Sequence, residues 1–130
     1  MGNQSFLDSG MKIHIEDNSS TKDIKTKFSQ YYPYLKLEFF TKPHKEKEAS
    51  KKEDLITGEK QIAEIRTVHN EGDLIITPQS KVSEVEQGFE ESFGIHVQVF
   101  RKSGRLWLET TSTDGWTLRE QNEVGKDMDS

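Results

Sequence analysis

Residues 11–42 read MKIHIEDNSSTKDIKTKFSQYYPYLKLEFFTK, and their patterning decides the fold. From Met11 to Asp17, Ile13 and Ile15 alternate with Lys12, His14 and Glu16, the two-residue period of a half-buried strand. Asn18-Ser19-Ser20 follows, with Ser20 placed to cap a helix and Asp23 three residues further on. Ile24, Phe28 and the Tyr31/Tyr32 pair recur at helical spacing, and Pro33 stands where a proline stops a helix. Leu35, Leu37 and Phe39 then alternate with Lys36, Glu38 and Phe40 as a second strand. The stretch is a strand–helix–strand unit.

The same succession returns later in the chain. Leu74-Ile75-Ile76 matches Ile13-His14-Ile15, Val85 matches Ile24, Phe89 matches Phe28, Phe93 matches Tyr32, and Gly94 matches Pro33. After one inserted residue, Tyr34, the exit strand Leu35, Leu37, Phe39 and Phe40 matches Ile95, Val97, Val99 and Phe100. Asn70-Glu71-Gly72 carries a turn signal and predicts a hairpin between residues 65–69 and 73–77. Lys102-Ser103-Gly104 turns the chain into Leu106 and Leu108, which alternate with Trp107 and Glu109. The order of this second unit, hairpin–helix–hairpin, resembles a β-grasp in pattern, a likeness that carries no function. The expected fold is α+β: a mixed five- or six-stranded sheet with two main helices on one face, built on a duplicated β-α-β unit.

One domain accommodates all 130 residues. Residues 1–10 read as a flexible leader, 11–42 as the first unit and 61–111 as the second. Residues 43–60 mix Lys45, Lys47, Lys51 and Lys52 with Glu46, Glu48, Glu53 and Asp54, and are expected to be a mobile loop. Residues 55–66 fit either a short helix or the run-in to a strand. Residues 112–130 form a tail with a short helix expected over Thr117–Val124.

Composition excludes several functions. The chain has no cysteine, so neither a disulfide framework nor a thiolate metal site is possible, and a reducing, cytoplasmic setting is expected. No apolar run approaches the roughly 20 residues needed to span a bilayer, and the start of the chain lacks a secretory pattern. A net charge of −5 argues against a phosphate-neutralising surface and hence against nucleic acid.

No catalytic motif is present. The four histidines, His14, His44, His69 and His96, share no metal-ligand spacing, the serines have no GxSxG setting, and the glycines are scattered rather than clustered before a helix. The expectation is no enzyme, no cofactor and no metal. What does stand out is the side of the strands turned away from the helices. There the pattern places His14, Lys36, Glu38, Phe40, His96, Gln98, Phe100, Trp107 and Glu109, with His14 and His96 possible neighbours. Exposed aromatic bulk on a sheet marks an interface or a ligand groove. The expected function is a protein–protein interaction or self-associating module, a homodimer in the simplest case. The alternatives are a ligand or catalytic pocket using His14, His96 and Glu109, and single-stranded RNA stacking on the aromatic rings.

Overall fold

Ser20 begins the first helix as its position suggests. It is extended (φ −95°, ψ 136°), and its Oγ accepts the N–H groups of Lys22 and Asp23 at 3.1 and 3.3 Å. Gly94 ends the second helix in the left-handed region, at φ 66°, with its N–H returned to the Glu90 carbonyl. The computed structural model describes residues 10–43 and 50–129. In chain order the elements are β1 (Met11–Ile15), α1 (Thr21–Tyr31), β2 (Leu35–Phe40), β3 (Gly72–Ile76), α2 (Val82–Phe93), β4 (His96–Ser103), β5 (Leu106–Glu109) and α3 (Leu118–Asp127).

The class is α+β, but the single mixed sheet is not formed. Among the described residues the strands divide into a two-stranded ladder, β1-β3, and a three-stranded ladder, β2-β4-β5, both antiparallel. The reason lies in the pairing. The strands of one β-α-β segment do not pair with each other; each pairs with its counterpart in the other segment, Ile13 opposite Leu74 and Leu37 opposite Val99.

The hairpin expected at Asn70-Glu71-Gly72 is also absent, and with it the β-grasp order. Residues 65–69 make no ladder because Arg66 is drawn inward. Its guanidinium donates to the Phe93 carbonyl at 3.0 Å and to Asp17 Oδ1 at 2.8 Å, which ties this segment down through a side chain. Residues 55–66 are neither helix nor strand. They hold one 3₁₀ turn, Ile62–Glu64, and two isolated bridges, from Leu55 to Phe40 and from Gln61 to Ser20.

The tail, where a short helix is expected over Thr117–Val124, carries α3 at Leu118–Asp127. Thr117 and Glu120 form a reciprocal capping box that starts α3. Gly125 lets α3 approach the start of β2, since a Cβ there would sit 2.8 Å from the Tyr34 Cβ. Asn122 accepts the Tyr34 N–H at 2.9 Å in the same contact. The core lies between the helices and the inward strand faces, centred on the fully buried Phe28, Phe39, Phe89, Leu35 and Leu37. Phe39 and Phe89 meet edge to face with ring centres 6.4 Å apart.

The starts of the two long helices share a set of backbone contacts. At α1, Thr21 donates to the Lys60 carbonyl, and Ile62 and Ala63 donate to the carbonyls of Ser19 and Asp17, at 2.8–2.9 Å. At α2, Val82 donates to the Trp116 carbonyl, and Leu118 and Arg119 donate to the carbonyls of Ser80 and Pro78, at 2.9–3.0 Å. Just upstream, the N–H groups of Glu16 and Thr77 each reach the hydroxyl of the serine three residues on, both at 3.0 Å.

Candidate functional site: the open face of the three-stranded sheet

Opposed residues of an antiparallel pair share a side of the sheet, so the register of β2 and β4 sorts their side chains. Leu35, Leu37 and Phe39 lie with Val97 and Val99 toward the helices, and all five are buried. Lys36, Glu38 and Phe40 lie with Phe100, Gln98 and His96 on the other side. β5 extends that second side with Trp107, opposite Lys102, and Glu109, opposite Phe100.

Two of these residues are not available at the surface. Residues 50–56 fold over one end of the face. Leu55 bridges to Phe40, Ile56 donates to the Phe39 carbonyl at 2.9 Å, and Ser50 Oγ meets Gln98 Oε1 at 3.2 Å. Phe40 and Gln98 are consequently buried. Gln98 is also held from beside the strand. β5 ends at Glu109, and although Thr110 beyond it donates its N–H and hydroxyl to the Val99 carbonyl, the Val99 N–H turns to Glu86 of α2. Its carboxylate accepts the Val99 N–H at 3.1 Å and the Gln98 amide at 3.2 Å. Residues 44–49, including His44, lie outside the described residues.

The exposed end of the face is organised around a lysine. Lys36 Nζ sits 4.9 Å from the centre of the Trp107 ring and 5.6 Å from that of Phe100. Glu38 holds it there at 3.2 Å and accepts Lys25 of α1 at 3.0 Å through its other oxygen. A cation between two ring faces gains about 0.5–1 kcal/mol at exposed sites. Trp107 keeps 37 % of its surface exposed. Two adjoining clefts, of about 480 and 360 Å³, share Lys36 and Trp107 as walls. The smaller also meets Phe40, Lys52, Leu55 and Glu109, and the larger runs along α1 to Pro33.

The tail does not cover this face. Trp116 and α3 lie on the helix side, where Arg101 stands 5.7 Å from the Trp116 ring and donates to Gln121 at 2.8 Å.

The two strand histidines are not neighbours. His96 belongs to the three-stranded sheet and pairs with Glu90 at 3.3 Å. His14 lies on the outer side of the two-stranded sheet, with Nδ1 2.8 Å from Asp73 and Nε2 2.9 Å from Glu16 and 3.6 Å from Glu71. The pocket of His14, His96 and Glu109 is therefore not assembled. His14, Glu16 and Glu71 are the described groups whose ligand atoms gather closely enough to hold a metal ion, and His14 already pairs with both carboxylates at the surface.

Hydrogen bonding to Asp73, and then to Glu16, raises the His14 pKa above its ordinary 6.5. The sign of the linkage follows. The stabilisation is complete below the unfolded value of 6.5 and is lost as pH rises through the elevated folded value. We expect urea midpoints to fall between mildly acidic and mildly alkaline pH, and His14→Gln to flatten that slope. An unchanged slope in the variant would exclude His14 as its source. Asp17 is shifted the other way, held below the usual carboxylate range by Arg66 and then His69.

Burial pushes the Tyr32 phenol up to about 12, and its hydroxyl lies in the core rather than in either cleft. Two features gave no usable sequence signal: Glu86 capping a strand edge, and Arg66 buried between Asp17 and the end of α2. Comparison with protein-family models, with curated proteins and with solved structures finds no match to this chain. No helix among the described residues is long and apolar enough to cross a membrane.

Proposed function

We propose that this chain is a small interaction module, working in the cytoplasm, whose contact surface is the exposed aromatic end of the three-stranded sheet. The observation that carries the reading is the indole of Trp107, left open beside Phe100 while a charge chain, Lys25–Glu38–Lys36, holds an ammonium against both rings. Such pre-positioning suits an interface, because a side chain fixed beforehand costs less entropy on binding. A few residues dominate the binding energy of known interfaces, and tryptophan, tyrosine and arginine are enriched among them.

The test is the accessibility of Trp107, read in a Trp116→Phe background so that one indole reports. Acrylamide quenching of Trp107 should fall, and its emission shift to the blue, as protein concentration rises. Quenching that is constant from dilute to concentrated protein rejects self-association on this face. A second reading, a small-ligand cleft, draws on the 360 Å³ space between Trp107 and Leu55, which is of the size that takes a compact ligand.

We further propose that the chain arose by duplication of a half made of a strand, a helix, a strand and a docking segment. Supporting this, three backbone hydrogen bonds recur at equivalent places at the starts of α1 and α2, together with the serine-hydroxyl contacts of Ser19 and Ser80. On this reading α3 of the second half corresponds to the short Ile62–Glu64 turn of the first, where the Glu64 carboxylate accepts the Gln61 N–H as that of Glu120 accepts the Thr117 N–H.

A further inference from the structure

β5 is the edge of its sheet, and among the described residues no strand pairs with its outer side. Native edges are usually blunted by lysine, proline or a bulge. β5 is short, four residues, and Arg105 and Glu109 flank its centre with charge, but the stretch Leu106-Trp107-Leu108 itself carries no lysine, proline or bulge. Leu106, Trp107 and Leu108 are instead exposed by 66, 37 and 40 %.

The direction of the backbone groups follows from the register. Ser103 and Leu106 flank the two-residue turn Gly104-Arg105 and form the hydrogen-bonded pair that closes it. The next pair, Lys102 with Trp107, is of the other kind, and Lys102 indeed spends its N–H on the Tyr34 carbonyl of the opposite neighbour, at 2.9 Å. The N–H and C=O of Trp107 therefore point off the sheet, while those of Leu106 and Leu108 point to β4.

We propose that the occupant of this edge is a second copy of the same strand, antiparallel and centred on Trp107, which deepens the interaction-module reading and rests on it. That register places the outward groups of Trp107 opposite their own counterparts. It sets Leu106 against Leu108 of the second copy, and Arg105 against its Glu109. Shifting the centre to Leu106 or Leu108 would put Trp107 opposite Arg105 or Glu109 and lose the charge match. Registers of odd offset would face Trp107 with residues whose backbone groups already bond to β4. A carboxylate has acceptor sites for several donors, so the partner Glu109 has within its own chain leaves room for Arg105. The product is one six-stranded sheet with two Trp107 rings side by side on the aromatic face.

The experiment is sedimentation of the full chain across a concentration series, with charge reversals at the paired positions. Wild-type protein is expected to dimerise reversibly. Arg105→Glu and Glu109→Arg alone each oppose like charges twice per dimer and should weaken association by roughly tenfold or more. The double reversal restores the match and should return to within about threefold of wild type. Circular dichroism and thermal midpoints check that each variant is folded. A wild-type protein that remains a monomer at every concentration overturns the proposal. So does a dimer indifferent to both single reversals, but with Trp107 still shielded on association that result leaves the aromatic-face reading standing and removes only the edge register.

Discussion

Phe89→Ala should remove about 3–5 kcal/mol of stability, the largest effect expected of any single substitution here. Phe89 is fully buried in the middle of α2, pressed edge to face on Phe39 of the central layer. Removing the ring forfeits its transfer energy and leaves a cavity under a helix that is also fastened to Trp116 and Asp114 at its start and so cannot settle inward. Against a total of ~5–15 kcal/mol for a domain, the variant sits near the unfolding threshold. In urea its midpoint should fall while the slope stays that of wild type, because the same surface is exposed on unfolding. A loss under about 1 kcal/mol would mean that Phe89 is not in the core described. A Phe39/Phe89 double-mutant cycle should isolate about 0.5–1.5 kcal/mol for the ring pair itself.

Glu86→Ala comes second, at about 1–3 kcal/mol, and for a different reason. No large volume is lost; instead the Val99 N–H loses its acceptor and the buried Gln98 amide keeps only the Val99 carbonyl, at the place where β5 stops. Each buried polar group left unmade costs about 1–3 kcal/mol. Glu86→Gln keeps one acceptor oxygen on a side chain of the same length and should recover at least half the loss. Equal destabilisation by Ala and Gln would show that the charge, rather than the accepted hydrogen bonds, matters here. The measurement is again urea unfolding of the three proteins at one pH.

These two residues also mark what can be read from the sequence. Phe89 was legible because a helix buries side chains at a fixed spacing, and Val82, Val85, Phe89 and Phe93 keep it. Ser20 and Gly94 were legible as caps, since each supplies a local backbone need. Glu86 was not, because it lies on the helix among other glutamates, and only the early end of β5 turns it into a strand-edge acceptor. The division into two sheets was hidden for a similar reason. Alternation reveals that Ile13 and Leu74 are inward, but not which strand each will pair with. Arg66 reversed the expected hairpin through two long-range hydrogen bonds, to Asp17 and Phe93, that no local pattern announces.

At the open face the sequence placed Lys36, Phe100, Trp107 and Glu109 together, because all four follow from strand parity alone. It leaves open whether the charged loop covers this face, and the burial of Phe40 and Gln98 depends on residues 50–56 returning across the sheet. It also put His14 with His96 on the assumption of one sheet. With two sheets, His14 serves the β1-β3 ladder and is held by Asp73 and Glu16.

The most direct test of the central claim is the amide exchange rate of Trp107 across a concentration series, followed by residue-resolved hydrogen exchange. Its N–H points away from β4, so in the isolated chain it should exchange quickly. The amides of Leu106 and Leu108, bonded inward, serve as slow internal references. The account predicts that Trp107 alone of the three gains marked protection as concentration rises. An exchange rate for Trp107 that is the same in dilute and concentrated protein would contradict it.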